Sequence, residues 1–238
     1  MRSIRLMAAS IWSPAEAFRE ILESGVRPWV PVAVHILAGV LLIAVLISRV
    51  DLGAMIAAQA AQSQGANMNE EAQEAMSTLF NSPVATALIA STPVLTVPIM
   101  FLFVAGIYFG MFLILGSTAR YGQYLSLTSF AFTPHILNAF VLVALTFVSR
   151  PTSLDPSMLG SVSPAVFMTP EAGQATQGPL YVAAGSLNLF TIWVLVLLVI
   201  AFKRVVSRRT STGAVSVAVL TPWLVYVLAR VGFAALAR

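Results

Sequence analysis

The stretch from Leu187 to Arg209, LNLFTIWVLVLLVIAFKRVVSRR, ends a long apolar run in Lys203, Arg204, Arg208 and Arg209. From Tyr181 to Phe202 no side chain carries a formal charge, and about 20 apolar residues are enough to cross a hydrocarbon core roughly 30 Å thick as a helix. The run predicts a membrane span over residues 181–202. Its basic end sets direction, because Lys and Arg beside a span are retained on the cytoplasmic side. The same four residues are candidates for a topology anchor and, more weakly, for holding anionic lipid headgroups.

Composition extends the argument to the whole chain. With 58% hydrophobic and 9% charged residues, it departs from the soluble average of about 45–50% apolar and about 25% charged, so the lipid bilayer is its main solvent. The net charge of +4 does not point to nucleic acid, since the basic residues sit beside spans and form no long basic face with interleaved aromatics. The absence of cysteine removes disulfides, thiolate catalysis and Cys-based metal sites.

Four further segments are apolar enough to cross or nearly so. The expected spans are 29–47, 92–115, 125–148, 181–202 and 214–236, giving an all-α polytopic bundle of about five transmembrane helices. Residues 1–28 form a cytosolic amphipathic segment ahead of a membrane domain over 29–238. Within that segment Ser13, Pro14 and Glu16 have the spacing of an N-cap, a first-turn proline and a capping box, and Phe18, Ile21 and Leu22 share one face. Two readings remain open: a helix lying in the cytoplasmic interface, or one packed on its own bundle. Gly25 is placed to end it. Val84 to Ala90 is either a separate half-helix or the lead into the second span. The segment 54–82 is polar and partly helical, and 151–179 is an irregular, proline-punctuated loop.

Five spans place the two termini on opposite faces. Nine basic residues then fall inside (Arg2, Arg5, Arg19, Arg27, Arg120, Lys203, Arg204, Arg208, Arg209) against Arg49, Arg150 and Arg238 outside, with Arg230 in the last span. That bias predicts a cytosolic N-terminus.

Few residues carry chemistry. There is no HExxH, no GxSxG and no phosphate-cradling glycine loop followed by Lys, so no enzyme activity and no cofactor are expected. His35 and His135 could share a metal or relay a proton, but without a carboxylate beside them in the spans a metal would be short of ligands; hydrogen-bonded core histidines are the plainer reading. The third span is more informative. Ser126, Ser129, Thr133, Pro134, His135 and Asn138 crowd its first half, and such groups in lipid must find partners on other helices. Pro134 frees the carbonyl of Phe130, and Pro222 that of Ala218. With Asn138 and Asn188 these are candidates for a bundle interior, lining either a packing seam or a polar path. Gly106 and Gly110 form a GxxxG spacing, a helix-packing candidate within the monomer or between two copies.

Three blocks resemble a known family. The opening Ser13, Pro14, Ala15, Glu16, Ala17, Phe18, the block YGQYLSLTSFAFTPHIL from Tyr121 to Leu137, and LNLFTIWVLVLLVIAFK from Leu187 to Lys203 are similar, in order and spacing, to the bacterial branch of the Ypt-interacting protein (Yip) domain family. The resemblance implies five spans and a cytosolic N-terminus in a bacterial cytoplasmic membrane. Eukaryotic members are linked to small Ypt/Rab GTPases and early secretory membranes; this chain opens without a long cytosolic extension and looks bacterial, so that partnership is not carried over. The function expected is a non-enzymatic scaffold that organises lipid or binds a membrane-protein partner or a second copy of itself. The alternative is a small transporter or channel subunit with a polar path along the third span.

Overall fold

The computed structural model describes residues 1–49, 53, 70–148, 163–167 and 178–236. The expectations for 54–69, for Arg150, for most of the 151–177 loop and for Arg238 lie outside these residues. Among the described residues the chain is helical throughout, without strands: α1 Arg2–Trp12, α2 Pro14–Ser24, α3 Trp29–Arg49, α4 Glu70–Phe80, α5 Pro83–Ile114, α6 Tyr121–Ala131, α7 Thr133–Val148, a 3₁₀ turn at Pro164–Phe167, α8 Pro179–Ser186, α9 Leu189–Phe202 and α10 Thr212–Leu236.

Four helical stretches are long and apolar enough to cross a membrane: Trp29–Arg49, Pro83–Ile114, Tyr121–Phe147 and Thr212–Leu236. A fifth exists if α8 and α9, bent by 53° at their junction, are taken as one span. The chain is thus a polytopic helical membrane protein. α9 alone, with 14 residues, extends only about 21 Å at 1.5 Å per residue, short of the hydrocarbon core.

The local sequence explains the departures from expectation. The run 181–202 is unbroken in charge but not in backbone, because Gly185, Ser186 and Asn188 are poor helix formers. Ser186 Oγ donates to Val182 O at 2.8 Å, and Leu187 N donates to Ala184 O at 3.1 Å, closing α8. Residues 84–90 are no separate half-helix. They belong to α5, which runs 32 residues through Pro93 and Pro98, about 48 Å and so long enough to tilt across a thinner core.

The capping box at Ser13 is not made. Ser13 ends α1 and begins α2 at once, its N–H donating to Ala9 O at 2.7 Å and its carbonyl accepting Ala17 N–H at 3.0 Å, with no side-chain cap bond. Pro14 does take the first turn, and Gly25 closes α2 in the left-handed conformation (φ 60°, ψ 31°) that a Cβ disfavours. α2 buries Ala17, Phe18 and Ile21, and α1 buries Leu6, Met7 and Ser10. Both pack against α6, and α2 also against α9, so α2 follows the second of its two readings. Arg2 Nε meets Glu20 Oε1 at 3.0 Å, and Arg5 pairs with the same carboxylate, holding α1 on α2.

The residues divide into two compact units. The first comprises 1–38, 94–138 and 189–226; the second comprises 39–93, 139–188 and 227–238. The first has an aromatic core. Phe101, Ala105, Tyr108 and Phe112 line one buried face of α5, and the rings of Tyr108, Phe112 and Tyr124 lie 4.9, 5.1 and 5.3 Å from that of Phe202. Within the second unit, α3 approaches α5 closely at Gly39, where a Cβ would lie 3.0 Å from that of Pro93. There the Arg49 guanidinium also sits 4.3 Å over the ring of Phe147.

Candidate functional site: the break in the third span

The helix of the third span breaks at a single residue, Phe132, between α6 and α7. Pro134 is the cause, because it has no N–H to offer Phe130 and its ring crowds the preceding turn. The freed carbonyl does not go unpaired. Thr133 Oγ1 donates to Phe130 O at 2.6 Å. Ser10, on α1, holds its hydroxyl 2.7 Å from Met7 O and 3.4 Å from Phe130 O, sharing one proton between them.

The neighbouring carbonyl, Phe132 O, accepts His135 N–H at 2.9 Å and is approached by His35 Nε2, from α3, at 3.1 Å. The other ring nitrogen of His35 lies 2.7 Å from Pro31 O. A neutral imidazole donates from one nitrogen only, so two carbonyl oxygens compete for one proton unless the ring is doubly protonated. Stacked edges surround it: His35 to Phe101 at 5.0 Å, Phe101 to Phe132 at 5.4 Å, and Phe132 to His135 at 5.4 Å. His35 is thus a tie between α3 and the break. Among the described residues no three of His, Cys, Asp and Glu gather as a metal site.

Two serines of α6 are bonded to backbone too. Ser126 Oγ donates to Val26 O, in the α2–α3 connection, at 3.0 Å, and Ser129 Oγ to Ser126 O at 2.9 Å. Ser129, Thr133 and Pro134 are buried, and His135 and Asn138 half-buried. Two buried oxygens, Thr128 Oγ1 and Asn138 Oδ1, have no hydrogen-bond partner among the described residues. Pro222 lies inside α10 and is half-buried. Asn188 stands at the α8–α9 break and belongs to the second unit, whereas Ser129, Thr133, Pro134, His135 and Asn138 belong to the first.

The GxxxG glycines face open space. A Cβ at Gly106 or Gly110 would meet nothing within 4 Å among the described residues, and Gly110 is exposed. The reason is that α5 buries its aromatic face instead. In the basic loop Lys203 is half-buried and its ammonium is held by the carbonyl of Thr210, so it braces the turn, while Arg204, Arg208 and Arg209 are exposed.

Sequence reasoning missed Ser10, whose partner lies 120 residues away, and a second node around Tyr124. There Tyr124 OH donates to Ser117 Oγ at 2.8 Å, Ser117 Oγ donates to Val205 O at 2.8 Å, and Tyr108 OH donates to Val219 O at 3.2 Å. The aromatic spacing along 101–112 was the available signal for the second node. For Ser10 no local signal exists.

Residues 9–233 match the family model described as the Yip1 domain. The chain belongs to the Yip1 domain family. The match covers the end of α1, all of α2 to α9 and most of α10, so α2 and the broken third span both lie within the Yip1 domain. No curated protein and no solved structure matches the chain.

Proposed function

We propose that this Yip1-domain protein is a non-enzymatic scaffold of a bacterial cytoplasmic membrane, binding a membrane-protein partner or a second copy of itself, with its N-terminus in the cytosol. The observation that supports this most is the fate of the polar groups in the third span. Ser126 and, from α3, His35 tie the third span to other segments through backbone carbonyls, while Ser129 and Thr133 are satisfied three residues back, which leaves these hydroxyls paired as a packing seam requires. In this reading Ser129, Thr133, Pro134, His135, Asn138 and Pro222 build the bundle interior, and Asn188 serves the α8–α9 break. Gly106 and Gly110 offer a close-approach face to a partner, and residues 1–28 form an amphipathic segment on the cytosolic side, preceding the membrane domain.

Orientation is supported by charge. With five spans, nine Lys and Arg residues fall in the segments expected inside and three in those expected outside, the asymmetry expected of a positive inside. Arg204, Arg208 and Arg209 suit anionic headgroups at roughly 1 kcal/mol each. Replacing Lys203, Arg204, Arg208 and Arg209 by Gln is expected to loosen the orientation of the last two spans, read by terminal reporter fusions. A C-terminal reporter in the cytosol beside an N-terminal one there would overturn the odd number of crossings.

The unpartnered oxygens of Thr128 and Asn138 favour one second reading, a transporter or channel subunit. The chain has no cysteine, so single cysteines along α6 and α7 separate the two. A scaffold keeps them protected from membrane-impermeant thiol reagents on both sides, shows no substrate flux in proteoliposomes and retains a stoichiometric partner on purification from native membranes. Labelling along one helical stripe together with flux supports the path instead.

A further inference from the structure

The two N-terminal helices bury one face each, but their outward faces differ in kind. α2 presents Glu16, Arg19 and Glu23 outward, a solvent face. α1 presents Ile4, Ala8 and Trp12, all exposed and spaced four apart, which places them in one stripe. Ile4 is 62% and Trp12 82% exposed. A helix with apolar residues on two opposite faces needs a second apolar surface.

The depth of α1 says which surface. Trp29, exposed at the first turn of α3, stands where amphipathic rings mark a membrane interface. His35 is about 9 Å further along that helix at 1.5 Å per residue. Its Nε2 lies 3.1 Å from Phe132 O, and Ser10 of α1 reaches Phe130 O, two residues earlier in the chain. The last turn of α1 therefore docks on the third span at a level near that of His35, inward of Trp29. At such a level an exposed side chain beside a spanning helix meets lipid and not water. Arg2 and Arg5, held by Glu20, supply the polar edge of an interfacial helix.

We infer that α1 is a lipid-binding element whose stripe Ile4, Ala8 and Trp12 is seated in the headgroup–acyl boundary of one leaflet. The interfacial role expected of residues 14–24 thereby passes to Arg2–Trp12, and α2 becomes the protein-side strut that holds α1 at its depth. The inference rests on the spans and on the docking of α1, and it is independent of the scaffold reading.

The full-length protein tests it in phosphatidylcholine–phosphatidylglycerol vesicles. Of its four tryptophans, Trp29, Trp193 and Trp223 are changed to Phe, leaving Trp12. Its emission is expected to be blue-shifted, quenched largely by lipids with a nitroxide near the glycerol and little by aqueous iodide. Strong iodide quenching with water-like emission would overturn the inference. So would protection from both quenchers, which means that protein covers the stripe. Should the triple variant fail to fold, nitroxides at I4C and A8C, with E16C on α2 as the contrast, give the same reading. Oxygen collisions exceeding those of a water-soluble nickel chelate at positions 4 and 8, and the reverse at 16, are expected; chelate-dominated collisions at all three overturn it.

Discussion

The two units of the molecule are built from the same alphabet of apolar helices yet differ in where many of their hydroxyls go. In the first unit several hydroxyls and a ring nitrogen reach across to other segments: Ser126 to Val26, Ser117 to Val205, Tyr108 to Val219 and His35 to Phe132, beside Ser129 and Thr133, which bond three residues back. In the second, Ser48, Ser91, Thr146 and Ser186 turn back to carbonyls three or four residues earlier in their own helices. A self-bonded hydroxyl satisfies itself in lipid without fixing a neighbour. One that crosses fixes the register of two helices. The first unit combines such crossing bonds with a ring core, while in the second the Gly39–Pro93 contact is close and apolar and Asn81 Oδ1 accepts the N–H of Gly53.

The largest test of that contrast is in the aromatic core. Phe202→Ala leaves a cavity among three rings and is expected to destabilise the protein by about 3–5 kcal/mol, read by thermal or denaturant unfolding in detergent micelles. Phe147→Ala, in the second unit, removes an exposed ring with one cationic contact and is expected to lose only about 0.5–1 kcal/mol. Equal losses would dissolve the distinction.

Next comes Gly39→Leu. Its side chain has no room beside Pro93, and overpacking of this kind is expected to destabilise by about 1–3 kcal/mol. A silent variant would mean that α3 and α5 are not held together there. Ser126→Ala should follow with a loss of about 0.6–2 kcal/mol, while Thr146→Ala, which gives up only a bond within its own helix, should be close to neutral. If both hydroxyl deletions measured alike, crossing bonds would carry no special weight. Smallest of all in the monomer should be Gly110→Leu, since nothing stands within 4 Å of a Cβ there. A shift from dimer to monomer in that variant, by analytical ultracentrifugation in detergent, would assign the glycine face to a second copy.

Much of this was legible in one dimension. Bilayer thickness sets the length of an apolar run and basic residues mark its ends, so the helical class and the approximate spans follow from counting. Pro134 announced a break, and Gly25 announced a helix end through its left-handed backbone. The capping box at Ser13 was a false signal, because a corner between two helices makes the same residue serve both. The apolar run of the fourth span concealed a bend, since hydropathy is blind to the weak helix propensity of Gly185, Ser186 and Asn188.

The membrane helices, their order and the crowding of polar groups into 126–138 belong to the sequence itself, for these depend on composition and on spacing along one helix. Which groups meet does not. Ser10 and Phe130 lie 120 positions apart, and only packing brings them within reach. The same packing turned the faces of α1 and α5: it buried the 101–112 aromatics and left Gly106 and Gly110 open, and it gave α2 a protein neighbour while leaving Trp12 outward. A helix of mixed apolar faces can present any of them until neighbours close over one, so the choice of face was decided by tertiary structure alone.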